Sequence, residues 1–186
     1  MRRLTGFDCE GVWCAATLDK GDKRTGLLIV SGGNEIRSGA HAGQAALAAH
    51  FAALGYPVFR YDRRGVGESD GANCGFESSA ADIAAAVAAF RTEVPYLERI
   101  VAFGNCDAAS ALALFHTGLP IDRLILANPW VIKTDSEGNQ PTPPSAAAIR
   151  ARYWARLKNP RSLIDLLSGK INLKKLFGGL ARATQK

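Results

Sequence analysis

One cysteine lies where the sequence predicts the corner between a buried strand and a helix. Residues 100–103 form an apolar run without polar alternation, which is typical of a parallel strand that is buried on both faces. Gly104 interrupts this run, and the small residues 108–115 predict a helix that begins just after Cys106. The free N–H groups and the positive dipole end of that helix favour the thiolate, which is the nucleophilic form of cysteine. Cys106 is therefore the candidate nucleophile, and the alternative is a small buried side chain without reactivity.

The residues around this cysteine resemble the nucleophile elbow of α/β-hydrolases. That motif is G-x-S-x-G, and here it reads Gly104-Asn105-Cys106-Asp107-Ala108. Cysteine replaces the serine, as in dienelactone hydrolases, and Ala108 replaces the second glycine. The resemblance implies a sharp turn that presents the nucleophile, with the backbone N–H group of Asp107 as one donor of an oxyanion hole.

A glycine-rich loop after an earlier strand is expected to supply the second donor. Residues 27–30 predict a buried strand, and Ser31-Gly32-Gly33-Asn34 follows it. The loop fits neither of the glycine patterns that bind phosphate groups. The hydrolase resemblance implies that a backbone N–H group of this loop faces the developing oxyanion. Gly33 is the first choice and Asn34 the second, and the alternative is that the glycines make only a tight turn.

A second motif follows the next predicted strand. Residues 62–71 resemble the D-x-R-G-x-G-x-S turn that follows the fourth strand of many α/β-hydrolases. We expect Asp62 and Arg64 to hold this turn and its glycines to adopt positive φ angles. The motif is assigned no chemistry.

The rest of the pattern is an alternation of strands and helices. Two strands at 4–10 and 12–18, joined around Gly11, predict a hairpin at one edge of a sheet. The further predicted strands are 27–30, 57–61, 100–103 and 123–131 with its exit loop, and the predicted helices are 42–54, 76–91 and 108–115. The apolar stripe of the second helix is expected to comprise Ala81, Ile83, Ala84, Val87, Ala88 and Phe90. The alternation predicts a three-layer α/β fold, with a mainly parallel sheet and helices on both faces.

Composition is that of a soluble globular protein. The chain has 186 residues, of which 47% are hydrophobic and 22% charged. No apolar run approaches the roughly 18 residues of a membrane span, and the first residues lack the apolar region of a signal peptide. The cysteines have no zinc-like spacing; they are Cys9, Cys14, Cys74 and Cys106. We expect a reduced, cytoplasmic protein without a metal or a cofactor.

The net charge of +6 is unevenly distributed. Residues 1–140 hold 13 Lys and Arg against 16 Asp and Glu, whereas residues 141–186 hold ten against one. The basicity therefore belongs to the C-terminal segment. No nucleic-acid motif accompanies it, so no nucleic-acid partner is expected. One interpretation is a weak contact with an anionic membrane surface, and the other is a solvated basic lid.

The assembled motifs resemble one family in particular, the hydrolase type 1 associated with the exosortase A system of bacteria. The similar segments are 32–41, 61–69, 104–107 and 128–131. The resemblance implies a soluble cytoplasmic hydrolase that is encoded near an exopolysaccharide and protein-sorting locus. With a cysteine nucleophile, the expected reaction is acyl-enzyme hydrolysis of a small ester or thioester substrate.

The other two members of a catalytic triad are missing from this pattern. In α/β-hydrolases the acid and the histidine follow later strands, but no histidine follows His116. We therefore expect a chain truncated before the last strands. His50 is expected on a solvated helix face, and His116 at a helix C-terminus as a cap. His41, near the oxyanion loop, is expected in a packing or capping role, and the alternative is that it reaches Cys106. The alternative function is a non-catalytic or truncated remnant that acts as a binding module.

Domain organisation follows from the same pattern. Residues 1–132 are expected to form the hydrolase core, 133–145 a proline-rich linker, and 146–186 a basic helical lid-like segment. The aromatic residues of that segment either cover a substrate pocket or pack beside the sheet, and the sequence leaves both alternatives open. The sequence predicts no oligomeric state.

Overall fold

The computed structural model describes residues 1–130. The predicted linker at 133–145 and the predicted lid at 146–186 lie outside the described residues. The strands are β1 (Arg2–Cys9), β2 (Val12–Asp19), β3 (Thr25–Val30), β4 (Val58–Tyr61), β5 (Arg99–Asn105) and β6 (Arg123–Ala127). The α-helices are α1 (Gly43–Ala53), α2 (Ala80–Glu93) and α3 (Asp107–Phe115), and single 3₁₀ turns occur at Ala40–Ala42 and Phe76–Ser78.

Six strands form one mixed sheet in the order β1-β2-β4-β3-β5-β6. The hairpin β1–β2 lies at one edge, and β2 runs antiparallel to β4. The pairs β3–β4, β3–β5 and β5–β6 are parallel. The predicted mainly parallel sheet and its edge hairpin are therefore confirmed. Because parallel strands end at the same edge, the residues that follow β3, β4 and β5 are brought together there.

Helices cover the sheet on both faces, which confirms the predicted three layers. On one face α1 contributes Ala48 to a small cluster with Leu27, Ile29 and Val58. On the other face α2 and α3 pack over the larger cluster, in which the rings of Phe59 and Phe90 stack with centroids 5.4 Å apart. Within residues 1–130, no helix carries an apolar stretch of the length that a bilayer crossing requires.

Two predicted strands differ from expectation in their burial. β5 is not buried on both faces: Ile100 and Ala102 are buried, whereas Val101 and Phe103 are half-buried because α1 covers their face only in part. β6 is also less buried than predicted, with Ile125 half exposed. The reason is its place at the end of the described sheet, where β5 is its one strand neighbour.

The predicted apolar stripe of α2 is partly wrong. Ala88 is exposed, and the buried residues of the helix include Asp82. The reason is that the Asp82 carboxylate accepts hydrogen bonds from the backbone N–H and the guanidinium of Arg64. A buried acid with charged and backbone partners satisfies its polar atoms, so the hydrophobic period does not reveal it.

The turn after β4 is held as predicted. Asp62 is fully buried, and its carboxylate accepts hydrogen bonds from the backbone and guanidinium of Arg37 and from the N–H group of Glu68, at 3.1 Å. Arg64 pairs with Asp82 on α2, with Nη2 and Oδ2 3.0 Å apart. The φ angle of Gly67 is +61°, and a Cβ at that position would lie 2.4 Å from Asp62 Oδ2. These contacts fix the backbone direction at residue 63, between the two anchors.

Candidate functional site

Cys106 occupies a sharp corner between β5 and α3. Its backbone angles are φ 61° and ψ −128°, a conformation that is costly for a residue with a Cβ atom. The corner is held by two hydrogen bonds to the segment around the end of β6: Cys106 donates its N–H to Ala127 O at 3.0 Å and accepts one from Trp130 N at 3.2 Å. Backbone strain of this kind is common at functional sites, and here it leaves the Cys106 residue exposed.

The packing beneath the corner explains the small residues of the elbow. A Cβ at Gly104 would lie 2.8 Å from the carbonyl carbon and oxygen of Ala108, closer than side-chain atoms approach backbone. Ala108 itself is almost fully buried. Glycine is therefore required at 104, and alanine is small enough at 108. These contacts are those expected for a nucleophile elbow.

The positive end of α3 lies directly beside the cysteine. Asp107 is the first residue of this helix, so its N–H group has no acceptor within the helix. That group and the helix dipole favour negative charge on a neighbouring sulfur or oxygen atom. The predicted donor Asp107 N–H is thus beside the candidate nucleophile, and its role in catalysis stays a prediction.

Exposure divides the four cysteines into two pairs. Cys74 and Cys106 are exposed, and Cys9 and Cys14 are buried. Burial raises the pKa of Cys9, and it raises the pKa of Cys14 to about 12. The two buried thiols therefore stay protonated and inaccessible at neutral pH, which leaves Cys74 as the natural comparison for Cys106.

The glycine loop reaches the elbow, but its Gly33 amide is already engaged. Gly33 N donates a hydrogen bond to Asp107 Oδ1 at 2.5 Å. The same carboxylate oxygen lies 2.5 Å from the position that a Cβ on Gly32 would take. The structure thus brings the predicted loop to the predicted corner, and it adds a contact through the Asp107 side chain. That Gly33 N–H faces an oxyanion remains a prediction.

Arg63 holds the other side of the same loop. Its Nη2 atom donates to the carbonyl oxygen of Gly33 at 2.5 Å. The side chain of Asn34 accepts a hydrogen bond from Asn73 Nδ2 at 2.7 Å. The sequence did not single out Arg63, because it occupies the variable position of the D-x-R-G motif and no pattern ties it to the loop.

A small cavity lies between Arg63 and the elbow helix. It has room for the centre of one water molecule, about 10 Å³, and it is lined by Val30, Ser31, Tyr61, Arg63, Phe76, Ser79, Ala108 and Ala111. The buried hydroxyl of Tyr61 and the Nε atom of Arg63 have no hydrogen-bond partner among the described residues. Burial raises the pKa of Tyr61, so its hydroxyl remains protonated and able to donate. Both residues line this cavity, and an unpaired buried donor is typically satisfied by a bound water.

The three histidines do not complete a catalytic pair within residues 1–130. His116 follows α3, and its Nδ1 atom lies 2.9 Å from Leu112 O, which confirms the predicted cap. His50 is exposed on α1, as predicted. His41 is also exposed, has a φ angle of 52° and makes no hydrogen bond to Cys106. The described residues therefore present a candidate nucleophile and candidate oxyanion donors without a hydrogen-bonded base.

Solved structures share this fold. The α/β hydrolase GrgF from Penicillium sp. sh18 matches with a TM-score of 0.61 and 20% identity, over 86% of this chain and 68% of its own. The Pyrococcus furiosus esterase Pf2001 matches with a TM-score of 0.62 and 19% identity, over 90% and 59%. An α/β hydrolase from Sphaerobacter thermophilus matches with a TM-score of 0.56 and 24% identity, over 91% and 60%. At these identities the likeness shows the fold.

The chain spans between 51% and 68% of the length of the first solved structures that it matches. A comparison with curated proteins gives no match. The family model described as serine aminopeptidase, S33 (Hydrolase_4) matches residues 21–177, a range that includes the glycine loop, the turn after β4 and the elbow. The chain therefore belongs to this family of the α/β-hydrolase superfamily.

Proposed function

We propose that this chain carries a hydrolase site with Cys106 as its nucleophile, acting on an ester or thioester through an acyl-enzyme. The observation that carries the proposal is the conformation of the cysteine. Its φ of 61° and ψ of −128° place an exposed thiol at the N-terminus of α3, over a glycine that packs against the helix. Packing of the core does not account for this strained conformation at an exposed residue. The sharp strand-to-helix turn that presents a nucleophile does account for it.

The reaction proceeds in two balanced steps. The thiolate attacks the carbonyl carbon, a C–S bond forms, and the electron pair of the carbonyl moves to its oxygen. Collapse of this oxyanion expels the alkoxide or thiolate leaving group, which takes its proton from solvent, and leaves a thioester on Cys106. Water then attacks the thioester, releasing the carboxylic acid and restoring the thiol.

The N–H group of Asp107 and one N–H group of the loop Gly32–Asn34 stabilise the oxyanion in this proposal. Donors that face developing charge are usually the largest single contribution to such catalysis. A thiolate favoured by a helix N-terminus depends on a general base less than a serine does. Oxyanion stabilisation and binding without a complete triad give about 10³–10⁴-fold acceleration over water, which sets the expected scale for residues 1–130.

A binding module without turnover is the second candidate function. It is favoured by one observation: the carboxylate of Asp107 already accepts the Gly33 N–H group, so this donor is not free for a substrate oxygen. In that case the elbow and loop are a retained scaffold, and replacement of Cys106 changes no reaction rate.

The narrower family, the exosortase A-associated hydrolase type 1, is also our proposal. It is supported by the segments 32–41, 61–69, 104–107 and 128–131 of the sequence. It predicts a cytoplasmic protein encoded beside exopolysaccharide genes, which the neighbouring genes of the source genome test. The basic segment 141–186 adds a weak contact with anionic lipid, and sedimentation with anionic vesicles at two salt concentrations tests it.

Competitive alkylation tests the proposed nucleophile. Limiting iodoacetamide at neutral pH, followed by peptide mapping, compares Cys106 with Cys74, the other exposed thiol. The proposal predicts faster alkylation of Cys106, because the helix N-terminus favours its thiolate. Turnover of p-nitrophenyl acetate should fall in Cys106→Ala and persist in the matched control Cys74→Ala. Equal alkylation of both thiols together with unchanged turnover in Cys106→Ala contradicts the proposal and favours the binding module.

A further inference from the structure

The first strand of the sheet leaves one side of its backbone unpaired. β1 (Arg2–Cys9) lies at the end of the strand order, and β2 is its one strand neighbour among residues 1–130. The pairing with β2 runs along the whole of β1 without a skipped residue, so β1 has no bulge, and it contains no proline. Natural sheets protect an exposed edge with bulges, prolines or very short strands, because a free edge pairs with other strands. β1 has none of these three protections.

The ladder between β1 and β2 shows which backbone groups face outwards. Met1 O accepts a hydrogen bond from Lys20 N at 3.0 Å, so the N–H and C=O groups of the odd-numbered residues face β2. The groups of the even-numbered residues face the opposite way; these residues are Arg2, Leu4, Gly6 and Asp8. Within residues 1–130 their backbone groups have no hydrogen-bond partner. Another strand can therefore add to β1 in the same antiparallel pattern.

One face of β1 carries opposite charges at its two ends. Arg2 and Asp8 are exposed and lie on the same face of the sheet, because side chains alternate along a strand. Leu4 lies between them and is 74% exposed. At Gly6 the ring of Trp13 occupies the place of a side chain, because a Cβ there would lie 2.0 Å from Trp13 Cζ2. Since Trp13 is also exposed, this face presents a positive charge, two apolar side chains and a negative charge in order.

We propose that the β1 edge binds a second copy of this chain, so that the two sheets join into one about a two-fold axis at Thr5. The outward backbone groups of the two copies then face each other and form up to about eight hydrogen bonds. At both ends of the interface Arg2 lies opposite Asp8 of the second copy, within reach of an ion pair. Leu4 lies opposite Gly6 of the second copy and packs beside the tryptophan ring that covers that glycine.

The side chains select this register and this partner. The nearest alternative registers bring Leu4 opposite Leu4, or Gly6 opposite Gly6, and in neither does Arg2 meet Asp8. Arg2 and Asp8 lie at equal distances from Thr5 on opposite sides, so the edge is complementary to itself. An interface with two-fold symmetry requires this property, whereas an unrelated strand does not. The interface does not use Cys106, so the inference goes beyond the proposed function and stands independently of it.

Sedimentation velocity of the full chain under reducing conditions measures the dimer. We expect a monomer–dimer equilibrium that shifts towards the dimer as the protein concentration rises through the micromolar range. The charge is changed at Asp8, because Arg2 also pairs with Asp19 of its own copy. Asp8→Lys places like charges opposite each other at both ends and should raise the Kd of the dimer about tenfold.

Two further variants control this comparison. Asp8→Asn removes the charge and keeps an acceptor for Gly11 N, which Asp8 Oδ1 binds at 3.1 Å. Its Kd should lie between the values of the wild type and Asp8→Lys. Glu77→Lys makes the same charge change as Asp8→Lys at an exposed residue outside β1, so its Kd should equal that of the wild type.

A disulfide between two copies tests the register. In the proposed dimer Thr5 lies opposite Thr5 as a non-hydrogen-bonded pair, with Cα atoms about 4.5 Å apart, which is within the range of a disulfide. Thr5→Cys, with the exposed Cys74 and Cys106 replaced by serine, should give a covalent dimer with oxidised glutathione. Arg3→Cys in the same background is the matched control on the same face of β1. Its two copies would lie roughly 14 Å apart, so it should stay uncrosslinked.

Three outcomes overturn the inference. The first is a wild-type chain that remains monomeric throughout the micromolar range. The second is an unchanged dimer in folded Asp8→Lys, which would assign the contact to another surface, such as the β6 edge. The third is the absence of a covalent dimer in Thr5→Cys, or equal amounts of it in Thr5→Cys and Arg3→Cys. If Asp8→Lys does not fold, as judged by circular dichroism, the disulfide decides.

Discussion

The side chain of Asp107 accepts a hydrogen bond from the backbone N–H group of Gly33, at 2.5 Å. The residue after the candidate nucleophile is thereby joined to the loop after β3, and two sequence motifs 74 residues apart become one structure. Because β3 and β5 are adjacent parallel strands, both motifs emerge at the same edge of the sheet. A Cβ at Gly32 would lie 2.5 Å from the same carboxylate oxygen, so a side chain there would displace the Asp107 side chain.

Replacement of Gly104 by alanine should damage the elbow. The new Cβ would lie 2.8 Å from the backbone of Ala108, so that either the strand or the helix must shift. We expect a loss of about 1–3 kcal/mol in the free energy of unfolding, measured by urea denaturation, and slower alkylation of Cys106. Gly43→Ala is the matched control, because nothing lies within 4 Å of a Cβ there and its φ of −62° suits any residue. Equal stability of the two variants would show that the elbow tolerates a side chain.

Loss of the Asp62 carboxylate should destabilise the turn after β4. This group is fully buried and pairs with Arg37, whose side chain is also largely buried. Asp62→Ala leaves that guanidinium without its buried partner, and we expect a loss of about 3–5 kcal/mol, measured by urea denaturation. Asp70→Ala, in the same turn but exposed, should change stability by less than about 0.5 kcal/mol. A small effect of Asp62→Ala would mean that the turn is held by its backbone alone.

Stability should fall at high pH because of a buried thiol. Burial raises the pKa of Cys14 to about 12 from an unfolded value of 9.0. Between these values the unfolded chain loses a proton that the folded chain retains, so the free energy of unfolding decreases as pH rises, with full stability present below pH 9. The expected slope from this group is about 1.4 kcal/mol per pH unit. Cys14→Ala should show a shallower decline from pH 9 to 11 by urea denaturation, whereas Cys74→Ala should follow the wild type.

Removal of His41 should leave the reactivity of Cys106 unchanged. His41 is exposed and makes no hydrogen bond to Cys106 within the described residues. We expect His41→Gln and the wild type to give superimposable profiles of Cys106 alkylation rate against pH between 6 and about 9. A profile displaced to higher pH in His41→Gln would identify this histidine as a partner of the thiol.

The sequence predicted the order and type of the elements because their signals are local. The apolar run before Cys106 and the glycines after Asp62 act through neighbouring residues, and the structure has the strands and turns there. Burial was predicted less well: β6 lies at the end of the described sheet and Asp82 is buried on α2, and neither follows from periodicity. Those outcomes depend on strand order and on a charged partner from another segment.

For the candidate site, too, the sequence predicted the local features and not the contacts between distant segments. The positions of the cysteine and of the glycine loop could be inferred from motifs, whereas their connection could not. The contact of Asp107 with Gly33 and that of Arg63 with the Gly33 carbonyl join residues that are 74 and 30 positions apart. In both contacts one partner is a backbone group. Because every residue has a backbone, the sequence does not reveal which residue takes part.

Trapping of an acyl-enzyme tests most directly whether Cys106 is the nucleophile. The protein is mixed with p-nitrophenyl acetate at neutral pH, quenched in acid within seconds, and examined by intact mass and peptide mapping. We predict a burst of p-nitrophenolate that equals the concentration of protein, together with the mass of one acetyl group on the peptide that contains Cys106. Absence of the burst, or acetyl groups spread equally over Cys74 and Cys106, would contradict this account.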